Sequence, residues 1–554
     1  MIYPVPQKIE ETGRVPVPKA FRVTAEHPVV ADFCARNNIP ISQEGNLRIT
    51  YVQEESRALS YIEESRRVTD EKYIMRTEQT DTGLEVSVCA AGERGLWHAL
   101  CTLGQQLESG ELLLGEIEDY PLFEKRGYIE GFYGTPWTQE GRLSMLSLMA
   151  KAHMNTYYYA PKDDPYHREL WKKPYPEREL PKLRELVEAA KRQFVEFHFC
   201  IAPGLSMQYS SEEDYAALLN KLRQVYDLGV RRFGLLLDDI PEELQYPEDI
   251  ARFGSETVNA HSYLGNRLWD DLKALDAENR LTFCPLQYHG KGDEYFISKL
   301  GRGLDAEISL FWTGRNICSQ ELTVPEAITF IQSTRHQPLY WDNFPVNDAE
   351  MYNEMHLGYL TGRDTELYRY SEGIISNCME YCECSKIPLL TVADFLWNPH
   401  AYNEKQSWNH AIDTVVGADS ADFKILADHL LTSCLKVSNS PFMIRSLLAA
   451  RSAMLGGDPM DALEMLFVYR LRLLKCCRLL RSGKHKMFEE LTRWTDKLQQ
   501  CHDVLHTCLM MMVTGSEALA ERLQEQLNQY KRMPEVLTEF SFHSAIEQML
   551  QFQL

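Results

Sequence analysis

Eight short apolar runs, spaced at roughly 30 to 40 residues and separated by amphipathic helical patterns, constrain this chain more than any other feature. They are RGYIEGFYG (126–134), NTYYYAPK (155–162), VEFHFCIAP (195–203), RFGLLLDD (232–239), LTFCPLQY (281–288), EISLFWTG (307–314), PLYWDN (338–343) and GIISN (373–377). Most are continuously apolar, as strands buried on both faces must be. The segments between them carry helix signals. In SSEEDYAALLNKLRQVY, Ser210 and Glu213 have capping-box spacing, and Tyr215, Leu218, Leu219, Leu222 and Tyr226 form one apolar stripe. Eight strand and helix units predict an α/β fold, a (β/α)8 TIM barrel, over residues 121–400.

The flanks read differently. Residues 1–120 mix alternating strand patterns with one clear helix, GERGLWHALCTLGQQL (92–107), which predicts a small α+β domain. Residues 401–554 lose the strand signal and read as a helical bundle domain interrupted at Gly456, Gly457 and Gly515, with Met510, Met511 and Met512 as core filler. Its most apolar stretch, MLFVYRLRLLKCCRLL (465–480), contains Arg470, Arg472, Lys475 and Arg478, which excludes a membrane span. The formal net charge of -22 argues against nucleic-acid binding through a broad basic face. The 14 cysteines are scattered through a large chain, and the first residues show neither a basic nor an apolar leader region. A reduced, cytoplasmic protein is therefore expected. Cys378, Cys382 and Cys384 lack paired zinc-ligand spacing, so no metal is expected.

Chemistry in such a barrel sits at the C-terminal ends of the strands, where the loops converge on one cup. The first strand ends at Gly131, Tyr133 and Gly134, the second at Lys162 and Asp163, and the fourth at Asp238 and Asp239. Tyr288 follows the fifth, Trp312 and Thr313 the sixth, Trp341, Asp342 and Asn343 the seventh, and Asn377 the eighth. Carboxylates, amides, a lysine and aromatics on one rim suit a neutral sugar, with hydroxyls to hydrogen-bond and an apolar ring face to stack. Two adjacent carboxylates cannot both ionise freely, so one of Asp238 and Asp239 is expected to have a raised pKa, as glycosidic cleavage requires. A plainer reading stands beside it: Asp239 precedes Ile240 and Pro241 and has the position of a helix cap. Likewise Asp164 reads as a cap, Asn343 and Asp348 as turn formers, and Trp312 and Trp341 as core aromatics.

GFYGTPW (131–137), YAPKDDPYHRELW (159–171), LLLDDI (235–240), CPLQY (284–288), WTG (312–314), WDNFPVND (341–348) and the SN of IISNCME, taken together and in order, resemble glycoside hydrolase family 84. That family holds the protein O-GlcNAcases and the bacterial hyaluronidase-like hexosaminidases. The first domain also resembles the small α+β domain that precedes many hexosaminidase barrels. The resemblance implies a retaining exo-β-N-acetylglucosaminidase, bacterial and cytoplasmic, in which the substrate's own acetamido oxygen attacks C1 and forms an oxazoline. It implies that Asp238 orients the acetamido group and Asp239 acts as general acid, then base. Tyr288 and Asn343 would line the acetamido pocket, while Gly131, Lys162, Asp348 and Asn377 would hold sugar hydroxyls. Trp397 would contribute to the pocket wall. The implied partner is an N-acetylglucosamine-bearing glycoprotein or oligosaccharide, with no cofactor. Two alternatives stay open: a catalytically silent glycan-binding protein, and a hexosaminidase acting on cell-wall or hyaluronan fragments. A family 20 enzyme is disfavoured because it would use an Asp-Glu pair.

Overall fold

In a computed structural model, residues 2–551 are described apart from 18–21, 26, 43–44, 55–69, 82, 436 and 539–540. The first layer is a six-stranded mixed sheet of β1 (Lys8–Pro16), β2 (Val23–Ala25), β3 (Leu47–Gln53), β4 (Tyr73–Thr80), β5 (Gly83–Ala90) and β6 (Glu111–Asp119). Its spatial order is β1-β6-β4-β5-β3-β2. Helices α1 (Pro28–Arg36) and α2 (Glu93–Ser109) accompany it, and α2 buries Leu96, Trp97, Leu100 and Leu103.

The eight predicted strands close into one parallel barrel. They are β7 (Lys125–Glu130), β8 (Thr156–Tyr159), β9 (Glu196–Ile201), β10 (Arg232–Leu236), β11 (Arg280–Cys284), β12 (Ser309–Trp312), β13 (Pro338–Asp342) and β14 (Gly373–Asn377). Each is nearly fully buried, which is why the runs lack alternation. The strands are shorter than the apolar runs at their C-terminal ends, so most of the polar rim residues lie in the loops just beyond them.

Helices follow six of the first seven strands, from Gln139–Lys151 to Val324–Thr334. The expected eight-fold repeat fails at the connection from β13 to β14. It holds only two short 3-10 turns, Ala349–Met351 and Leu367–Arg369, among the described residues. Its backbone is committed elsewhere: Leu357 N donates to Leu430 O, so the segment packs against the helical domain. The capping box is also displaced by one residue. Ser211, not Ser210, accepts the amide of Asp214, because Ser210 N is held by Asp249.

After the barrel-closing helix Cys382–Trp397, helices run from Glu404–Val416 to Ser541–Gln551. Met511 and Met512 pack against the core, as expected of filler, but Met510 is exposed beside Phe467 and Val513. No described helix is long and apolar enough to cross a membrane. Cys378, Cys382 and Cys384 are separate buried thiols.

A buried ion pair ties the rim together. Arg363 donates to both oxygens of Asp342 at 2.8 and 2.6 Å and to the carbonyls of Ser319, Gln320 and Thr361. Its position at a strand end predicts Asp342 on the rim, yet this pairing turns it away from the cup. Arg363→Met leaves that carboxylate buried without its partner, and the expected loss is about 3–5 kcal/mol in urea unfolding. Adding Asp342→Leu should restore most of it.

Candidate active site

The loops after the barrel strands enclose a cavity of about 250 Å³. Gly131, Lys162, Asp238, Asp239, Tyr288, Asn343, Asp348 and Asn377, all singled out in the sequence, line it together. Tyr133, Thr313, Ile317, Cys318, Met351 and Trp341 complete much of the wall.

Asp238 and Asp239 follow β10, and their backbone explains how neighbours serve one cup. In extended chain, successive side chains point to opposite faces. Asp239 escapes this by adopting φ 53°, a left-handed conformation that costs a non-glycine residue on the order of 1–3 kcal/mol. No described helix follows until Pro247–Phe253, so Asp239 is not a helix cap. It is held instead by Tyr133 Oη and Tyr288 Oη, which donate to its carboxylate at 2.8 and 3.0 Å. Arg168 donates to both the Tyr133 hydroxyl and the Asp239 carbonyl.

Asp238 has a different environment. Lys162 Nζ donates to its Oδ2 at 2.5 Å, while its buried Oδ1 has no hydrogen-bond partner. Burial pushes the Asp238 carboxyl up, but the charge and hydrogen bond of Lys162 outweigh it and hold the group below the usual carboxylate range. Asp238 is therefore not the raised member expected of an adjacent carboxylate pair, because this cation offsets burial and the neighbouring charge. Burial would lower the Lys162 ammonium, yet Asp238, with Tyr133 and Asp239 behind it, raises it. The carboxyl that moves up through burial is Asp348, whose Oδ2 accepts the Tyr133 amide at 2.8 Å.

Asn343 frames the far wall. Its Oδ1 accepts from Trp341 Nε1 and Asn377 Nδ2, both at 2.9 Å, and its Nδ2 donates to the Ile317 carbonyl. Neither side chain closes an Asx turn: Asn343 reaches Ile317 and Asn377, and Asp348 reaches Tyr133. Asn377 Oδ1 is buried without a partner. Gly131 is required by space: a Cβ there would sit 2.6 Å from Trp341 Cζ2, in a ring pinned by Asn343. Gly131→Ala is expected to weaken binding of a ligand in this cavity about tenfold, the equivalent of a modest overpacking penalty. An unchanged unfolding midpoint would separate this from misfolding.

Some sequence expectations are corrected. Trp397 is nowhere near the cup: it is fully buried beneath the barrel, donates Nε1 to Asp119 and lies under the Arg126 guanidinium. Trp312 packs on Phe330 as an ordinary core residue. Asp164 makes an Asx turn to Tyr166 N and takes the hydroxyls of Tyr159 and Tyr175. Tyr133 was noted at a strand end but given no role. Arg168 carried no signal, since it sits in an irregular 160–179 segment with no period to place it.

A family model for beta-N-acetylglucosaminidase matches residues 126–428. Protein O-GlcNAcase from Rattus norvegicus and from Mus musculus are each 30% identical over 302 residues, 53% of this chain and 31% of theirs. The chain thus spans about a third of the length of those relatives. Among solved structures, an O-GlcNAc hydrolase mutant from Thermobaculum terrenum has 29% identity and a TM-score of 0.72, covering 77% of this chain and 95% of that one. CpGH84B has 25% identity and a TM-score of 0.82, covering 99% and 100%.

Proposed function

Because the chain belongs to the β-N-acetylglucosaminidase family, glycoside hydrolase family 84, we propose that it is a retaining exo-β-N-acetylglucosaminidase working by substrate-assisted catalysis. The observation that carries this reading is the unequal setting of two adjacent carboxylates. One is kept anionic by Lys162 with a free oxygen, and the other stands between two phenols at the mouth of the pocket.

The substrate's acetamido N–H donates to the unpartnered Oδ1 of Asp238, which aligns the acetamido oxygen on C1 and balances the positive charge of ring closure. Asp239 protonates the departing glycosidic oxygen as the oxazoline forms. It then takes a proton from the water that opens the oxazoline, and two inversions at C1 give net retention. Tyr288 and the frame around Asn343 bound the acetamido group. Gly131, Lys162, Asp348 and Asn377 hold ring hydroxyls. The small cavity supports action on a terminal sugar, carried by a protein side chain or an oligosaccharide.

The test is hydrolysis of 4-nitrophenyl N-acetyl-β-glucosaminide followed by NMR of the first-formed sugar. Release of the β-anomer is expected. An α-anomer would rule out retention, and sugar binding without turnover would make this a silent glycan-binding protein.

A further inference from the structure

Arg168 lies in the irregular segment between β8 and the helix Leu180–Arg192. Its neighbours fix that segment tightly. His167 is buried, with Nδ1 2.9 Å from the Cys200 carbonyl oxygen and its own carbonyl accepting the Ala202 amide. Trp171 is also buried and donates Nε1 to Ser206 Oγ at 3.0 Å. Arg168 itself is half-buried, and its guanidinium reaches Asp239 at the mouth of the pocket, 71 residues away in the chain.

The guanidinium makes two bonds there. Nη1 donates to Tyr133 Oη at 2.8 Å, and Nη2 donates to the Asp239 carbonyl at 3.0 Å. Cζ also lies 5.5 Å from the centroid of the Tyr133 ring. A guanidinium has donors only, so the Tyr133 oxygen must accept from it. The single phenolic hydrogen is then left to point elsewhere, and Asp239 Oδ2, at 2.8 Å, receives it. Accepting a charge-assisted bond also strengthens the phenol as a donor.

The second bond acts on the backbone. Asp239 has φ 53°, the turn that brings its carboxylate into the cup beside Asp238. The bond from Nη2 holds the carbonyl of that residue, so one side chain steadies both the main chain and the carboxylate of Asp239. Lysine cannot replace it, because a point ammonium lacks the planar fork that spans two acceptors. Arg168 has a smaller influence on Asp238: burial raises that carboxyl, Lys162 lowers it, and Arg168 adds to the lowering.

We propose that Arg168 is the positioning residue of the proton donor: by holding the Tyr133 hydroxyl and the Asp239 carbonyl, it keeps the Asp239 carboxyl aimed at the departing oxygen. This rests on the reading of Asp239 as general acid, then base. Arg168 gives up no proton and changes no charge. Its contribution is geometric. Asp239 must give a proton to the glycosidic oxygen and later take one from water, and a carboxyl free to tilt is less often in line for either transfer.

The experiment measures kcat and KM of the full-length protein on substituted phenyl N-acetyl-β-glucosaminides. The proteins are wild type, Arg168→Lys, Arg168→Met, Asp239→Asn and the double variant Arg168→Met/Asp239→Asn. Arg168→Met is expected to lower kcat/KM about ten- to a hundredfold for the poorest leaving groups and less than about threefold for the best, steepening the leaving-group slope as Asp239→Asn does. Arg168→Lys, which keeps the charge near Asp238, should show most of the same steepening, and it carries the slope test if Arg168→Met does not fold. In the double variant the loss of Arg168 should add less than about twofold, since it acts through a group already removed. Equal slowing of every substrate would place the effect on Asp238 or the fold, and a rise in KM alone would make Arg168 a contact of the aglycone. A full further loss in the double variant would show that it acts apart from Asp239; each of these overturns the proposal. If Asp239→Asn itself leaves the slope unchanged, the general-acid reading falls and takes the proposal with it. A steeper slope in Asp239→Asn but not in Arg168→Met removes Arg168 alone.

Discussion

Asp239→Asn is expected to slow the hydrolysis of N-acetylglucosaminides with poor leaving groups by on the order of 100- to 10,000-fold while sparing aryl glycosides whose phenolate departs unaided. The proposed mechanism makes Asp239, at the mouth and held by Tyr133 and Tyr288, the proton donor to the departing oxygen. Removing its proton steepens the dependence of rate on leaving-group acidity. Asp238→Asn has the opposite signature. On the proposed mechanism Asp238 assists an internal nucleophile that every substrate shares, so good and poor leaving groups should slow alike. A series of substituted phenyl N-acetylglucosaminides measured on wild type and both variants decides between these roles. Equal slopes in the two variants would show the assignments to be wrong, and full activity in either would remove that residue from the mechanism.

Lys162→Met should produce the second large effect, visible as a shift in pH dependence. In the wild type Lys162 holds the Asp238 carboxyl below its ordinary value against the opposing pull of burial. Without the ammonium, burial is left as the dominant influence and the carboxyl titrates above its ordinary value. The protonated form no longer accepts the acetamido N–H. The acid limb of the kcat/KM profile therefore moves upward in pH, with activity falling about tenfold for each unit below the new limb. Activity recovers as pH rises past it. Because Asp238 and Asp239 share the site, the limb reports the pair. An acid limb that stays in place, with rate lowered equally at every pH, would show that Lys162 only positions the sugar.

Much of the barrel was legible because burial on both faces leaves a local mark. GIISN is apolar without alternation, and it is the strand Gly373–Asn377 to the residue. The other runs over-extended past their strands, since loop residues such as Gly131 and Tyr288 continue the motif after ladder pairing ends. The missing helix between β13 and β14 was illegible for a related reason: contacts with Leu430, far along the chain, decide the fate of that connection. The capping alternative for Asp239 was equally local in origin, and it failed because the backbone turns left-handed there instead of starting a helix.

The site divides along the same line. Sequence alone determined which residue types stand at the end of each barrel strand, because strand period and strand burial are short-range properties written into consecutive residues. That was enough to gather seven of the eight candidates at one rim; Asp348, the eighth, was implied only by the family resemblance. Only the tertiary structure decided what each of them faces. Lys162 meets Asp238 across 76 residues, Tyr133 meets Asp348 across 215, and Cys434 reaches Asn343 across 91. Asp342 turned to Arg363, and Trp397 packed at the opposite end of the barrel, for reasons no local pattern records. Charge state, hydrogen-bond occupancy and reactivity depend on these partners through distance and burial, and the folded chain alone sets distances between residues remote in sequence.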